Sequence, residues 1–297
     1  MKLKFFPLII IFVPMFAYSQ IIVRTGNTAI PDYETLDTAV LKILYEAKSS
    51  NDKISLKDDT TSTRLQTDYM VLEFGAQGVS RFYSDNRRRM DSLMNELIKI
   101  NPSKINLTKD VLDKNGISSN GLSLEVYKNY PNGKITVTDD IGNSSYRYEE
   151  SMIDIQWQIT SDTMTCLNYL CQKAVCDFRG RHYEAWFAPD LPVNDGPMKF
   201  SGLPGLILNI SDSDHLFVFK AIGLETTTFP ILFPQKNYLK ASRKEVEKVK
   251  RKSVEDPIGF ITNSMPGTKV TIKFTDENGI EKSPDEMKFQ YNPMELE

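Results

Sequence analysis

The sequence predicts a mainly β protein, an antiparallel sheet arranged as a sandwich or an open half-barrel, with one or two amphipathic helices. Apolar and polar residues alternate in several segments, short turn sequences connect these segments, and only two stretches show helical spacing. The alternation is complete from Ile153 to Ile159. Because a period of two is typical of a half-buried strand, a strand is predicted there.

Hairpins are predicted where two such segments flank a tight turn. Asn132-Gly133 and Arg179-Gly180 are turn sequences, since Asn and Gly readily adopt the positive φ of a two-residue hairpin loop. The predicted strand pairs are 124–127 with 135–137, 170–178 with 181–187, and 206–210 with 215–221. Residues 39–47 and 69–83 are predicted to form the opening strands, and residues 270–274 the last one.

Helical spacing occurs twice. Apolar residues recur every three or four positions from Met90 to Ile98, behind a basic cluster at 87–89. Ser242 and Glu245 form a capping-box pattern that opens a charged helix ending near Lys252. One or two amphipathic helices are therefore expected beside the sheet.

The N-terminus has the pattern of a secretory signal peptide. Lys2 and Lys4 precede an apolar run at 5–16, and Ala17-Tyr18-Ser19 places small residues at a peptidase site. The run is shorter than the ~20 apolar residues that cross a bilayer. We expect cleavage after Ser19, no transmembrane anchor in the mature chain, and a periplasmic or extracellular protein.

After cleavage, residues 20–283 are predicted to form a single β-rich domain, followed by a loose tail at 284–297 that has little apolar periodicity. Removal of two lysines leaves 34 basic and 39 acidic residues. A mildly acidic surface is unsuited to the phosphate backbone, so nucleic acid is not expected as a partner.

The mature chain holds Cys166, Cys171 and Cys176. An oxidising compartment permits a disulfide between two of them, and the odd number leaves one thiol over. On one extended strand Cys171 and Cys176 point to opposite faces, so Cys166 is the better partner for either. The alternative is three buried, unpaired thiols that act as small apolar residues.

One segment carries a family resemblance. The string Gly202-Leu203-Pro204-Gly205-Leu206-Ile207 follows Phe178-Arg179-Gly180-Arg181, Ala185-Trp186-Phe187 and Lys199-Phe200 in order. This succession resembles the GLPGLI family of exported Bacteroidota proteins over about residues 38–225, with 85–119 as a variable insertion. The resemblance implies the compartment and the β fold. The family has no established reaction, substrate or cofactor, so the resemblance implies none.

The GLPGLI string has a structural explanation of its own. Pro204 and Gly205 suit the second and third positions of a type II turn from Leu203 to Leu206, after which an apolar strand enters the sheet. The functional alternative is that the Pro- and Gly-rich loop at 188–205 lays rigid backbone over a binding site.

Polar and aromatic residues crowd the segment before and within this loop, as in a site for a carboxylate, a phosphate or a sugar. The candidate ligand- or partner-binding residues are Arg179, Arg181, Tyr183, Glu184, Trp186, Asp195 and Lys199. The alternative is a hairpin whose charges are solvated and whose aromatic rings belong to the core. Strand alternation places Tyr183 on one face and both Glu184 and Trp186 on the other.

No catalytic, metal or cofactor site is predicted. His182 and His215 lack the spacing of a zinc motif, no nucleophile elbow is present, and phosphate loops and dinucleotide fingerprints are absent from the sequence. No catalytic residue, metal ligand or cofactor is therefore assigned.

Three hypotheses of function follow. The first is a non-catalytic envelope protein that binds a partner, an outer-membrane or surface protein, through the 188–205 loop. The second is a periplasmic carrier of an apolar or lipidic ligand, which an apolar cavity would favour and a filled core would oppose. The third is a hydrolase without a known motif, which requires Arg181, Glu184 or Asp195 to converge in one cleft.

Overall fold

The computed structural model describes residues 31–49, 66–100, 109–117, 121–264, 274–275, 281–282 and 291–296 of the 297-residue chain. The predicted signal peptide at 1–19 lies outside the described residues, as does most of the strand expected at 270–274. The described fold is mainly β with a few short helices, as predicted. Within this part of the chain, no helix is both long enough and apolar enough to span a bilayer.

The elements follow one another in chain order. The strands are β1 (Asp32–Ser49), β2 (Gln66–Gly75), β3 (Ser80–Ser84), β4 (Glu125–Lys128), β5 (Lys134–Ile141), β6 (Ser144–Ser151), β7 (Gln158–Cys166), β8 (Tyr169–Phe178), β9 (Arg181–Ala188), β10 (Leu206–Asp212), β11 (Phe217–Thr226), β12 (Pro230–Gln235), β13 (Tyr238–Lys240), β14 (Phe274–Thr275) and β15 (Glu281–Lys282). The helices are α1 (Asp85–Ile100), α2 (Lys109–Lys114), α3 (Arg243–Glu255) and α4 (Pro257–Ser264).

The first thirteen strands form one open, mixed sheet. Its order is β13-β6-β5-β4-β3-β2-β1-β11-β10-β9-β8-β7, and β12 also pairs with β1. Neighbouring strands are antiparallel except for β13, which runs parallel to β6. Strands β3 and β4 pair directly, so α1 and α2 lie in the connection between two adjacent strands.

The predicted hairpins are confirmed. Strands β4 and β5 pair across a turn in which Gly133 has φ 75°. Strands β8 and β9 pair across Arg179 and Gly180, with φ 50° and 77°. Both values are those of a two-residue loop whose twist matches the flanking strands.

The strand predicted from Ile153 to Ile159 is wrong in its bounds. Residues 152–157 have no strand partner, and β7 begins at Gln158. The amide of Trp157 donates instead to the carbonyl of Ile155 at 3.0 Å. The side chains alternate because the segment packs one side on the core while it passes from β6, near one end of the sheet, to β7 at the other.

The sheet is strongly curved around one hydrophobic core. The rings of Phe82 on β3 and Phe219 on β11 lie 6.0 Å apart, although β2 and β1 separate these strands. Flat strands spaced ~4.8 Å apart would hold such side chains much farther from each other. The Tyr45 hydroxyl donates to the carbonyl of Ile207 at 2.7 Å on the same inner side.

The two longer helices are amphipathic, as predicted. Helix α1 buries Met90, Leu93 and Met94. Helix α3 buries Val246 and begins with the predicted capping box, in which the Ser242 amide donates to the Glu245 carboxylate at 2.7 Å and the Glu245 amide donates back to the Ser242 hydroxyl.

Of the tail predicted as loose at 284–297, the structure describes residues 291–296. Residues 291–296 are held against the domain, and the amide of Leu296 donates to the carbonyl of Arg179 at 2.8 Å. The segment lacks apolar periodicity because polar contacts hold it, and apolar patterning does not reveal such contacts.

The three cysteines are free and buried in the described structure, so the disulfide that the sequence allowed is not formed. In the β7–β8 hairpin, Cys166 pairs with Tyr169 and Cys171 pairs with Met164, which places the two thiols side by side. Burial raises the pKa of Cys166, and it raises the pKa values of Cys171 and Cys176 to about 12 each.

Thiol labelling tests this arrangement. A thiol with a pKa of about 12 is only about one part in ten thousand thiolate at pH 8, and the thiolate is the reactive form. We expect slow reaction of Cys171 and Cys176 with a disulfide reagent in the native protein, and faster reaction as pH rises. In guanidinium without reductant, three equivalents should react rapidly. A single reactive equivalent after denaturation would reveal a disulfide and contradict the free thiols.

Candidate functional site

The inner half of the 188–205 loop is built around a buried lysine. Lys128, at the end of β4, is 2 % exposed. Its ammonium donates to the carbonyls of Gly196 at 2.5 Å, Met198 at 3.0 Å and Phe200 at 3.3 Å, and it forms an ion pair with Asp195. Burial lowers the pKa of Lys128, while Asp195 opposes that effect. One side chain therefore fixes three alternate carbonyls of the loop backbone.

The loop also bonds to itself and to the sheet. The amide of Leu206 donates to the carbonyl of Leu191 at 3.0 Å, and the amide of Ile207 donates to that of Asp195 at 3.0 Å. The indole of Trp157 donates to the carbonyl of Ser201 at 2.8 Å. These bonds satisfy buried backbone groups that a free loop would leave to water.

The GLPGLI string ends the loop, and Leu203, Leu206 and Ile207 are buried. The predicted type II turn is wrong: Gly205 has φ 158°, and its amide donates to the Leu203 carbonyl at 2.8 Å, a three-residue turn centred on Pro204. Glycine is needed because a Cβ at position 205 would lie 2.3 Å from the carbonyl oxygen of Ala188.

Aromatic rings from the loop and the strands fill the inside of the curved sheet. Phe200 is fully buried, with ring centroids 4.7 Å from Tyr183, 5.2 Å from Phe178 and 6.2 Å from Trp157. The space in which a carrier would hold an apolar ligand is thus filled by the protein's own loop.

The outer half of the loop is exposed. Pro189, Asp190, Pro192 and Asn194 face solvent, as do Gly202 and Pro204. The side chain of Asn194 accepts a hydrogen bond from the amide of Gly202, which joins the two exposed parts. The result is a fixed, exposed surface, here called the outer loop surface (residues 189, 190, 192, 194, 202 and 204).

Four of the predicted binding residues contact the C-terminal tail, and Arg181 and Tyr183 do so through hydrogen bonds to residues 292–294. The guanidinium of Arg181 donates to the side-chain oxygen of Asn292 at 2.6 Å and to the carbonyls of Pro293 at 2.7 Å and Met294 at 3.1 Å. It also pairs with Asp212 at 3.1 Å. Burial raises the pKa of Tyr183, and its hydroxyl donates to Met294 at 3.2 Å.

The tail also supplies a carboxylate to a cationic cluster. Lys199 lies between Glu150 at 2.6 Å and Glu295 at 2.7 Å. Arg179 and Arg243 each lie within 4 Å of the same two carboxylates. In this structure Arg179 and Lys199 pair with the carboxylate of Glu295, and Arg181 pairs with that of Asp212, so these cations contact carboxylates of the chain itself.

The remaining predicted residues do not join this cluster. Glu184 and Trp186 lie on the opposite face of β9, where Lys173 pairs with Glu184 at 3.0 Å and lies 6.0 Å from the Trp186 ring. Asp195 forms its ion pair with Lys128. Arg181, Glu184 and Asp195 thus point to three different places, and the single cleft that a hydrolase required is not assembled from them.

A shallow groove of about 360 Å³ runs between α3 and the tail. Its helix wall carries four cations and one carboxylate, from Arg243, Lys244, Glu247, Lys248 and Arg251, and the tail supplies Pro293, Glu295 and Leu296 opposite. Among the described residues, no cluster of His, Cys, Asp and Glu is arranged to hold a metal ion. The two histidines lie apart and exposed, and His182 pairs with Asp177 at 3.0 Å.

Sequence reasoning did not identify Lys128, Glu150, Arg243 or the tail. In sequence, a single lysine at a strand end looks the same whether its side chain is buried or exposed to solvent. The partners of Lys128 lie 67–72 residues away along the chain. No local spacing signals such a contact.

The comparisons with known proteins give a family of unknown function and a distant structural likeness. Residues 179–209 match a family model described as "Protein of unknown function (Porph_ging)", a Bacteroidota-associated family. No curated protein matches the chain.

Two structures of PNGF-II are similar, in space groups P21 and C2, with TM-scores of 0.48 and 0.49 and 14% identity. Each match covers 73% of this chain, and 34% or 33% of PNGF-II. The chain thus matches about a third of the length of that protein.

Replacement of Lys128 tests the role of the buried ammonium. We expect Lys128→Met to lower the free energy of unfolding by about 3–5 kcal/mol, because Asp195 would be left as an unpaired buried charge. The matched control is Lys134→Met, which removes an exposed lysine 3.5 Å from Glu149 and should cost less than about 1 kcal/mol. Urea unfolding measures both, and equal effects would contradict the role assigned to Lys128.

Proposed function

We propose that this chain is an exported, non-catalytic protein of the cell envelope, a member of the GLPGLI family, that binds a protein partner through the outer loop surface. Export rests on the signal-peptide pattern at 1–19. The mature protein is then periplasmic or extracellular, and the partner is an outer-membrane or surface protein.

One observation supports the binding role above the others. The loop backbone is held from the inside by Lys128, while Pro189, Asp190, Pro192 and Asn194 are exposed to solvent. A surface that is already ordered loses little conformational entropy on binding, so more of the contact free energy appears as affinity. Prolines at 189, 192 and 204 restrict the same backbone further.

The family match supports the choice of this segment. The matched residues 179–209 comprise β9, the whole loop and the start of β10. The outer loop surface is the exposed part of that segment that does not serve the core. The alternatives of a carrier and of a hydrolase are not favoured, since the interior is filled and the required acid and base groups point apart.

Site-specific crosslinking tests the proposal. A photoreactive residue at Pro192, in the protein made in its own cells, should yield one dominant crosslinked protein. The same residue at Asp214 is the control, because this exposed position lies in the turn at the opposite end of β10.

The captured protein is then purified and its affinity measured. We expect the double variant Asp190→Arg and Pro192→Lys to bind at least ten times more weakly, with an unchanged unfolding midpoint, since both side chains are exposed. A partner captured equally from Asp214, or bound equally by the double variant, would overturn the assignment of this surface.

A further inference from the structure

The cationic cluster that holds the tail has more positive charge than its own domain neutralises. Lys199, Arg181 and Arg243 have side chains only 2 %, 4 % and 9 % exposed, and Arg179 lies beside them. Among the described residues, the carboxylates paired with these four cations are Glu150, Asp212 and Glu295. Without the tail, four cations would face two carboxylates, and a buried unpaired charge is costly. The cluster therefore requires an acidic ligand.

The same site recognises the backbone of its ligand. Arg181 and Tyr183 donate to the main-chain carbonyls of Pro293 and Met294, and the carbonyl of Arg179 accepts from the amide of Leu296. Main-chain contacts of this kind bind an extended peptide with little regard to its side chains. The site contacts two side chains of its ligand: Arg181 donates to the side-chain oxygen of Asn292 at 2.6 Å, and the carboxylate of Glu295 is the charged group that the cations pair with.

The chain's own tail does not satisfy the site completely. The Oε2 atom of Glu295 has no hydrogen-bond donor among the described residues, although Arg243 and Arg179 lie 3.4 and 3.6 Å away. Beyond the tail, Lys244 and Lys248 line the open groove, are exposed, and have no ion-pair partner in the described part of the chain. Glu247 also lines the groove, but its carboxylate already accepts a hydrogen bond from the Tyr291 hydroxyl at 2.6 Å. Lys244 and Lys248 therefore extend the cationic site along the groove, beyond the tail residues that the site binds in this structure.

We propose that Arg179, Arg181, Lys199 and Arg243 form a binding site for an extended acidic peptide of a partner protein, and that residues 291–296 are its exchangeable intramolecular ligand. A partner peptide places a carboxylate where Glu295 lies and additional acidic residues along the groove at Lys244 and Lys248. The residues of this site are not those of the outer loop surface, so an experiment can refute one proposal without refuting the other.

A cleavable tail tests the exchange. A protease site is inserted at 284–290 in the full chain, the protein is cut and washed, and its fold is checked by circular dichroism. A labelled peptide of residues 291–297 should then bind, and the same peptide with Glu295→Gln should bind at least ten times more weakly. No uptake by the folded, cut protein, or equal binding of the two peptides, overturns the proposal.

The groove has its own matched variant. Lys244→Gln with Lys248→Gln should leave the affinity for the 291–297 peptide unchanged, because neither lysine contacts residues 291–296 by an ion pair in the structure. The same variant should lose at least ten-fold in affinity for that peptide extended by three aspartates. If the variant and the unmodified protein bind the extended peptide with equal affinity, the groove is not part of the binding site.

Hydrogen exchange on the intact protein answers the same question without cleavage. The amide of Leu296 bonds to Arg179, and the amide of Ile207 bonds to Asp195 inside the domain. An exchangeable tail predicts that Leu296 exchanges at least a hundred-fold faster than Ile207, and faster still in 1 M NaCl, which screens the ion pairs. Slow, salt-independent exchange at Leu296 would make the tail a permanent part of the fold and overturn the proposal.

Discussion

The ammonium of Lys128 is the contact on which the arrangement of this protein depends. It lies inside a curved sheet, where a charge without partners would be severely destabilising. Three carbonyls and the carboxylate of Asp195 surround it, and all four belong to the 188–205 loop. The loop must therefore lie inside the sheet for the lysine to be satisfied, and the lysine must be present for the loop to have one conformation.

The fixed loop in turn organises the elements around it. Phe200 and Leu203 fill the core from one side of the loop, and Lys199 reaches Glu150 on β6 and Glu295 in the tail from the other. Helix α3 joins through Arg243, which approaches the same carboxylates. Sheet, loop, helix and tail thus share one polar network next to the aromatic core, and the outer loop surface is the part of the loop exposed to solvent.

The sequence predicted those parts of the fold that local chemistry controls. A two-residue turn at Arg179-Gly180 determined one hairpin, a longer loop ending at Gly133 closed another, and the Ser242 and Glu245 pair located the start of α3. Alternation alone misled at Ile153–Ile159, because packing on a core gives the same period as pairing with a neighbouring strand.

The sequence indicated which cationic residues form part of the candidate site, but it did not indicate that a residue of the chain's own tail binds to them. Arg179, Arg181 and Lys199 indicated a ligand such as a carboxylate, a phosphate or a sugar, and in the structure a carboxylate of the chain itself lies against Arg179 and Lys199. It comes from Glu295, separated from Lys199 by nearly a hundred residues, and only the curvature of the sheet brings the two together. Lys128 carried no signal at all, since burial of a strand-end lysine depends on the loop that covers it.

Native-state hydrogen exchange across the 188–205 loop tests the central claim most directly. If Lys128 makes the inner half of the loop part of the core, the amides of Asp195, Gly205 and Leu206, each bonded within the loop or to the residues that it covers, should exchange as slowly as those of the strands β9 and β10. Exchange of these amides at the rate of exposed turns, with β9 and β10 still protected, would show a mobile loop and contradict the account.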